Sequence, residues 1–539
     1  MQQSSPRLAL APRPFLQALA LYYPLVVASR NPTKPGFFCV PQVLISIRLF
    51  NRHLDPMANR HLGSLHIILL FTLLGLAYHE VRHHHFVWDT IPFVLENPWI
   101  HEWSIANLTA MFTESHRANW HPLVLLSHAA DFSLFGNDAG KHHLVNLALH
   151  ITDSILLMII VRVLLVMAGQ DQSSAQWVGF LTALIFGLHP QHVESVAWVV
   201  ERKDVLYTLF IFISLLLYLK LQARHIAADD ERTPTRSWGR HLWPFAFFCL
   251  AVMSKPMAVT FPVILLLVDI YPLNRARSLQ HVLPLVLEKL HYFIIGLLVS
   301  LVTLATQATA MPDNESLPLW ARCLNALDNT LFYVKGYIWP VNLSPFYPYP
   351  QNAAYLASYQ FWLPGLLFLT SLSTLVLWQW TKGRPWPLLL FGFYLVTLLP
   401  ASGLIHVGPA KATDHYVYMA TIPLSLLTAL LIVSFAKRSS AGRILSLALA
   451  SSYLAGLLLL TQLQVSYWNN PLSLWSRVTQ LYPDSAFGHR NLAAAYVQVA
   501  DWQLALQHAE RSLALGSPDV DYVIRLRAEV QRQQSNNDL

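Results

Sequence analysis

Long apolar runs separated by short polar connections fill most of the chain. Runs long enough to cross the hydrocarbon of a bilayer, with allowance for tilt, begin near Leu62, Leu144, Val178, Val205, Leu242, Met257, Tyr292, Phe361, Trp386, Tyr416 and Ile444. We therefore predict an all-α, polytopic membrane protein with about eleven transmembrane helices.

The polar motifs of the chain fall in alternate connections between these runs. They are Asp89, Asn119-Trp120-His121-Pro122, His189-Pro190-Gln191-His192, Glu201-Arg202-Lys203-Asp204, Ser254-Lys255-Pro256 and Asp414-His415-Tyr416. If the runs cross a bilayer, all of these groups lie on the same side of it. The sequence therefore predicts one functional face.

Composition and charge agree with this arrangement. Hydrophobic residues make up 54% of the 539 residues and charged residues only 12%, which is unlike a soluble enzyme. The formal net charge of +7 comes largely from Lys and Arg in the other connections, such as Arg224, Arg275, Lys382 and Lys437. Such clusters are retained in the cytoplasm, so the motifs and the C-terminus face the periplasm or its equivalent. The sequence has no basic stripe with interleaved aromatics, so nucleic-acid binding is not predicted.

The two ends of the chain differ from its middle. Residues 1–56 are either a real N-terminal arm or the product of a start codon called too early, and residues 57–465 form the predicted transmembrane domain. Residues 466–539 are amphipathic rather than uniformly apolar. Helix-turn-helix spacing there resembles one tetratricopeptide repeat and involves Leu492, Ala493, Tyr496, Ala505, Ala509 and Ser512. A single repeat buries its own face poorly, so we expect it to pack on neighbouring helices or on a partner.

Three positions carry candidate chemistry. Asp89 follows the first run and is placed to take a proton from an acceptor hydroxyl, although an Asp that caps a surface helix is an equally simple reading. Arg202 and Lys203 suit a lipid phosphate, or they snorkel at the interface with local ion pairs. Lys255 interrupts two apolar runs, where an ionisable group is a functional candidate by default; the alternative is a tight turn made by Pro256.

Metal binding receives less support. His189, His192 and Glu194, or the run His83-His84-His85, offer ligands, but no second ligand set with definite spacing is present, and His189-Pro190 is typical of a helix end. Cys39, Cys249 and Cys323 are too scattered for a disulfide framework or a zinc site. We predict no metal site and no firm cofactor, and dependence on a divalent metal is left open.

The motifs taken together resemble a known family. Trp88-Asp89 with Glu96-Asn97-Pro98, Asn119-Trp120-His121-Pro122, Leu144-Val145-Asn146, the segment from His189 to Trp198, Glu201-Arg202-Lys203-Asp204, Met253-Ser254-Lys255-Pro256 and Trp339-Pro340 with Tyr347-Pro348 look like the bacterial relatives of the transmembrane and tetratricopeptide-repeat O-mannosyltransferases. The similarity runs in order from about Leu62 to the C-terminus. It implies a GT-C glycosyltransferase fold and a sugar donor carried on a polyprenyl phosphate.

The resemblance also implies roles for single residues. Asp89 would be the catalytic base, and Arg202, Lys203, Lys255 and His415 would bind the carrier phosphate without a metal. Supporting positions would be His121, His189, His192, Glu194, Glu201, Asp204, Asp414 and Tyr416. A sugar such as mannose would pass with inversion to a protein or glycan hydroxyl outside the cytoplasm. The chain would be a multi-pass protein of the bacterial inner membrane with a cytoplasmic N-terminus.

Two positions depart from the family. Relatives often have a second acid directly after the first, where this chain has Thr90, and often have Arg where this chain has His415. The imidazole is expected to weaken phosphate binding or to make it depend on pH.

Two other classes of protein remain open. A non-enzymatic, membrane-anchored scaffold would need neither Asp89 nor Lys255. A transporter or lipid flippase predicts internal inverted repeats and polar groups at mid-membrane, whereas the polar groups here lie at one surface.

Overall fold

The computed structural model describes residues 57–227, 238–276, 279–308, 317–350, 353–405 and 408–537. The predicted arm at 1–56 and the connection at 228–237, with Arg232 and Arg236, lie outside these residues. Nearly all regular structure in the described part is helical, which confirms the predicted all-α class. A two-stranded antiparallel pair, β1 (Tyr347–Pro348) and β2 (Ala410–Ala412), is the exception there.

The first half of the described chain ends with the helix that carries the Glu201-Arg202-Lys203-Asp204 motif. Its helices are α1 Met57–Ala77, α2 Pro98–His101, α3 Ile105–Thr113, α4 Pro122–Phe135, α5 Ala139–Met167, α6 Gln172–Gly187, α7 Val193–Ala197 and α8 Arg202–Ala227.

The second half continues the bundle and ends in four helices beyond it. Its helices are α9 Trp238–Val252, α10 Phe261–Ile270, α11 Leu279–Glu288, α12 Leu290–Ala308, α13 Leu319–Ile338, α14 Ala353–Ala357, α15 Tyr359–Thr381, α16 Trp386–Leu398, α17 Ile422–Ala436, α18 Ser440–Tyr467, α19 Pro471–Leu481, α20 Ala486–Gln498, α21 Trp502–Ala514 and α22 Val520–Asn537.

Each predicted apolar run corresponds to a helix. Five helical segments are long and apolar enough to cross a membrane, namely Ala139–Met167, Val199–Arg224, Leu290–Gln307, Ala354–Thr381 and Ser440–Tyr467. Shorter apolar helices accompany them, including Leu62–Ala77, His241–Val252, Trp386–Ala401 and Ile422–Ala436. The chain is a multi-pass membrane protein.

Two features differ from the predicted pattern. The run expected near Tyr416 becomes α17 only at Ile422, because β2 and a short 3-10 turn occupy the preceding residues. Helix α13 was not predicted, since polar Asn325 and Asn329 interrupt its apolar positions; both side chains are buried. Gly365 lets α15 approach the α13 backbone, because a Cβ there would collide with the Leu327 carbonyl.

The connection between α1 and α5 folds into short helices. Helices α2, α3 and α4 enclose a small core of their own, made by Val94, Ile100, Met111, Leu125 and Ala129. The connection is therefore an ordered platform above the end of the bundle.

The C-terminal helices pack on this platform and on each other. Leu474 and Trp475 of α19 belong to the main hydrophobic core of the bundle. Helices α20 and α21 form an antiparallel pair around Ala493, Ala505 and Ala509, and α22 covers it. The expected packing on neighbouring helices is thus present.

Candidate active site

Four separate segments meet at one end of the bundle, called here the site end. They are the turn after α1, the first turn of α8, the turn after α9 and the turn before α17. Lys255 Nζ lies 2.5 Å from Asp204 Oδ1, which joins two of these segments. His415 Nε2 lies 3.7 Å from Glu201 Oε2, which joins a third. The alternate connections therefore converge on one side, as their order in the sequence predicts.

Glu201 stands at the centre of this cluster. Its Oε1 lies 2.8 Å from Lys203 Nζ, and its Oε2 lies 3.5 Å from Lys255 Nζ and 3.7 Å from His415 Nε2. The carboxylate is 1% exposed. Three of the four predicted phosphate-binding groups are thus gathered around one buried acid, which balances their charge inside the protein.

Asp89 lies beside this cluster with its carboxylate unpaired. Within the described residues, the side chain makes no hydrogen bond and no ion pair. Burial raises the pKa of Asp89; the positive charge of Lys203 lowers it again, and the negative charge of Glu201 adds to the rise. Such a carboxylate is more basic than usual, and it is free to accept a proton.

The backbone before Asp89 is strained. Trp88 has a φ of 52°, a left-handed conformation that bulky residues rarely adopt. Its ring stacks on Trp198 with centroids 4.6 Å apart and meets Trp475 edge-on at 4.9 Å. Aromatic packing from two directions therefore holds the conformation that presents Asp89.

Asp89 opens into a cavity of about 350 Å³. Its wall includes Trp88 and Ile91 on one side and, on the other, α19 and α20 with Trp475, Arg490 and Asn491. The candidate base thus faces a space shared by the platform and the C-terminal helices.

Arg202 does not join the cluster. Its fully buried guanidinium donates to Asn146 Oδ1 at 2.8 Å, to Ser127 Oγ at 3.1 Å and to the His142 carbonyl at 2.9 Å, and it pairs with Asp131. These protein partners occupy the groups that the sequence assigned to a phosphate. Arg202 anchors the start of α8 to α4 and α5.

The turn at residues 414–416 is held by another buried acid. Glu194 Oε2 accepts the backbone N–H groups of Asp414 and His415, and Glu194 Oε1 lies 2.8 Å from His415 Nδ1. Tyr347 donates its hydroxyl to Asp414 Oδ2 at 3.0 Å. Tyr416 places its ring 6.0 Å from Lys255 Nζ.

Burial controls the charge of these groups. It raises the pKa of Glu194 well above the usual range and that of Asp414 to about 8. It lowers the pKa of His415 well below its usual value, despite the opposing negative charge of Glu201. The titration of His415 near neutrality expected from the free imidazole is therefore not supported.

The remaining predicted histidines divide into two kinds. His121 lines a small cavity of about 30 Å³ together with Lys203, and burial and the two nearby lysines lower its pKa to about 3. His189 Nε2 bonds the Tyr337 carbonyl, and both ring nitrogens of His192 are bonded, to the Phe186 carbonyl and to Thr421 Oγ1. These two residues secure the turn after α6, as the His-Pro pair predicts.

Sequence reasoning missed the partners that hold these groups. Asn146 links Arg202 to the carbonyls of Val196 and Trp198. In the sequence, Asn146 is conspicuous only as part of the Leu144-Val145-Asn146 motif. Asp153 accepts a hydrogen bond from the Tyr418 hydroxyl, and Arg162 donates to Gln172. Such contacts join segments far apart in the chain, and spacing alone does not reveal them.

The known proteins that are similar in sequence belong to the group that the motifs resemble. No family model matches the sequence. A segment of 202 residues is 27% identical to protein O-mannosyl-transferase TMTC2 of Homo sapiens and covers 37% of this chain and 22% of that protein. A segment of 131 residues is 34% identical to TMTC4 of Homo sapiens and covers 23% of this chain and 17% of that protein. Over 186 residues the chain is 25% identical to Tmtc3 of Drosophila melanogaster, covering 32% and 19%.

The chain is therefore similar in sequence to protein O-mannosyl-transferases. The similar proteins are TMTC proteins, which confirms the resemblance seen in the motifs. The chain spans about a fifth of the length of the curated relatives it matches. Among solved structures, ArnT from Cupriavidus metallidurans, bound to undecaprenyl phosphate, aligns with 88% of this chain and 79% of that chain, at 13% identity and a TM-score of 0.35.

Proposed function

We propose that this protein is a GT-C-type membrane glycosyltransferase that moves a sugar from a polyprenyl phosphate carrier to a hydroxyl of a protein or glycan. The observation that carries the proposal is the unpaired carboxylate of Asp89, which faces an open cavity beside the Lys203 and Lys255 cluster. The kinship with O-mannosyltransferases agrees with this chemistry.

Asp89 acts as the general base in this proposal. The acceptor O–H bond breaks, its proton passes to the Asp89 carboxylate, and the acceptor oxygen forms a bond to the anomeric carbon. The bond from that carbon to the carrier phosphate breaks at the same time, and its electron pair leaves with the phosphate. A direct displacement of this kind inverts the anomeric centre.

Lys203 and Lys255 bind and stabilise the leaving phosphate. Their side chains already lie against Glu201 and Asp204, so an incoming phosphate shares or replaces these contacts. Positive charge held in place before the reaction is effective because it needs no reorganisation. His415, neutral through burial, contributes a hydrogen bond rather than a charge, and Arg202 is a positioning residue.

The acceptor occupies the cavity between Asp89 and α20. Arg490, Asn491 and Gln498 line its far wall and offer hydrogen-bond donors and acceptors suited to a peptide backbone or to sugar hydroxyls. In this arrangement residues 466–539, the TPR-like segment, present the acceptor to the transmembrane domain at 57–465.

The proposed location follows from the charge pattern of the connections. The site end and the C-terminal helices face the periplasm of a bacterial inner-membrane protein, and the N-terminus is cytoplasmic. A donor carried by a lipid then reaches the lysines from the bilayer, whereas the acceptor arrives from the aqueous side.

The test is sugar transfer from a radiolabelled pool of polyprenyl phosphate sugars, in membranes carrying wild-type protein, Asp89→Asn or a control. Asp484→Asn is the matched control, because Asp484 is an exposed acid of the C-terminal segment. Transfer lost only in Asp89→Asn supports the proposal. Equal transfer in all three would remove Asp89 as the base, and loss in the control as well would point to misfolding or misplacement.

A further inference from the structure

Three side chains of metal-binding type meet behind the active site, in a place that the proposed reaction does not use. His128 and Asp131 lie one helical turn apart on α4, and His142 lies on the first turn of α5. One potential ligand atom from each residue lies within 4.8 Å of the others. Their exposed fractions are 2%, 5% and 0%, so the group is sealed from bulk water.

The imidazole nitrogens of this group lack partners. Within the described residues, neither ring nitrogen of His128 and not the Nδ1 of His142 has a hydrogen bond. Buried polar atoms are rarely left in this state, because they lose water without replacing it. Unpartnered nitrogens on two neighbouring rings, aimed at the same space, point to a missing ligand.

The hydrogen bond of His142 fixes which nitrogen is available. Its Nε2 lies 3.0 Å from the Gly136 carbonyl, so Nε2 carries a proton and donates it. In the neutral ring Nδ1 then has a free lone pair, and it lies 3.6 Å from Asp131 Oδ2. The Asp131 carboxylate is therefore within reach of an ion bound at this nitrogen. A backbone carbonyl on the far nitrogen is also the usual support of a metal-bound histidine.

Arg202 is the cation already present. It contacts Asp131 through Oδ2, and Asp131 Oδ1 makes no hydrogen bond within the described residues. A carboxylate can bind an ion through one oxygen while the other accepts from a guanidinium. Two imidazoles favour a transition metal of the zinc type over a hard, oxygen-seeking cation.

We propose that His128, Asp131 and His142 bind a divalent transition-metal ion of the zinc class. Two imidazoles and one carboxylate are a common three-residue ligand set for Zn²⁺. His128 also lines the small cavity of about 30 Å³, which has room for a water molecule as a fourth ligand. The ion ties α4 to α5 and holds Asp131 against Arg202, at the start of the helix that carries Lys203.

The test uses the full-length protein in detergent, stripped with a chelator, dialysed against Zn²⁺ and analysed for bound metal. The decisive variant is His128→Phe, which fills the same space and removes two nitrogens that are otherwise unsatisfied. The matched control is His84→Phe, since His84 is also buried, with both ring nitrogens unpartnered, and lies outside the group. Both substitutions are mild enough to preserve folding, which thermal melting without metal checks.

We expect wild type and His84→Phe to retain about one equivalent more tightly held Zn²⁺ than His128→Phe. Added Zn²⁺ should also raise the melting temperature of the first two proteins and not that of His128→Phe. Equal zinc content in all three folded proteins would overturn the proposal. A melting temperature of the wild type that does not respond to Zn²⁺ would overturn it as well.

Discussion

Two buried ion clusters lie at opposite ends of α8, and they differ in how completely their charges are paired. At the site end, Glu201 and Asp204 meet Lys203 and Lys255. Tyr218, which belongs to the other cluster, lies fourteen residues after Asp204, about 21 Å further along α8 by helical rise. Charged side chains are rare where water cannot solvate them, and both clusters are exceptions.

The second cluster, called here the far cluster, is closed. Asp269 Oδ1 accepts from Arg275 at 3.0 Å and from the Tyr218 hydroxyl at 2.7 Å, and Lys289 Nζ lies 2.5 Å from Asp269 Oδ2 as an ion pair. Glu288 accepts from Arg275 at 2.6 Å and from Lys289 at 3.2 Å. Two acids thus pair with two bases.

The site cluster is open by comparison. Asp89 remains unpaired beside it and faces a cavity of about 350 Å³, while Lys203 lines a second, smaller one. The number of buried charges is therefore a poor guide to function. The unpaired carboxylate and the empty space beside it distinguish a site from a structural clamp.

Asp89→Asn is expected to have the largest effect on transfer. The amide keeps the shape and loses the proton acceptor, so kcat should fall by about 10²- to 10⁴-fold. The melting temperature should stay near that of wild type, because the carboxylate has no partner to lose. A variant that melts early would instead assign Asp89 a structural role.

Asp269→Asn should show the converse behaviour. It leaves Lys289 and Arg275 short of a negative partner in the far cluster, which typically costs about 3–5 kcal/mol when such a pair is buried. We expect a large drop in the thermal midpoint in detergent. Transfer per folded molecule, measured well below that midpoint, should be unchanged; a selective loss of transfer would contradict the division between the clusters.

The pH dependence of transfer sharpens the comparison at the site end. Asp89 must be ionised to accept a proton, so activity falls as the pH drops through its raised pKa. Lys203→Met removes a charge that lowers this pKa and should move the acidic limb of the profile to higher pH. Glu201→Gln removes a charge that raises it and should move the limb to lower pH. Shifts in the same direction for both variants would exclude Asp89 as the titrating group.

Asp414→Asn is expected to change how stability depends on pH. The folded-state pKa of Asp414 is raised to about 8 from 3.8, so the protonated form favours folding. This contribution is fully present below the unfolded pKa and is lost as the pH rises towards 8. Wild-type melting temperature should therefore fall relative to that of Asp414→Asn between about pH 4 and about pH 8. Parallel curves for the two proteins would contradict the shift.

The apolar runs and the convergence of the motifs were predictable from the sequence, for a direct physical reason. A bilayer demands long apolar helices, and helices that alternate in direction bring alternate connections together. Helix α13 was not predictable in this way, because its buried Asn325 and Asn329 resemble loop residues when read without their partners. The late start of α17 likewise depends on strand pairing between Tyr347 and Ala412.

Within the site, Arg202 and Lys203 show where the sequence stops being informative. Adjacent residues on a helix point about 100° apart, so only one of two neighbouring cations faces a given space. Lys203 turns towards Glu201, whereas Arg202 turns towards Asp131. The His128, Asp131 and His142 group was missed for a similar reason, since its third member belongs to the next helix.

The indole of Trp88 contacts two different parts of the protein. It is clamped by Trp198 from the bundle and by Trp475 from the C-terminal helices, and the next residue is Asp89. The C-terminal helices thus supply one of the two rings that hold Trp88, so the position of the candidate base depends on both ends of the described chain.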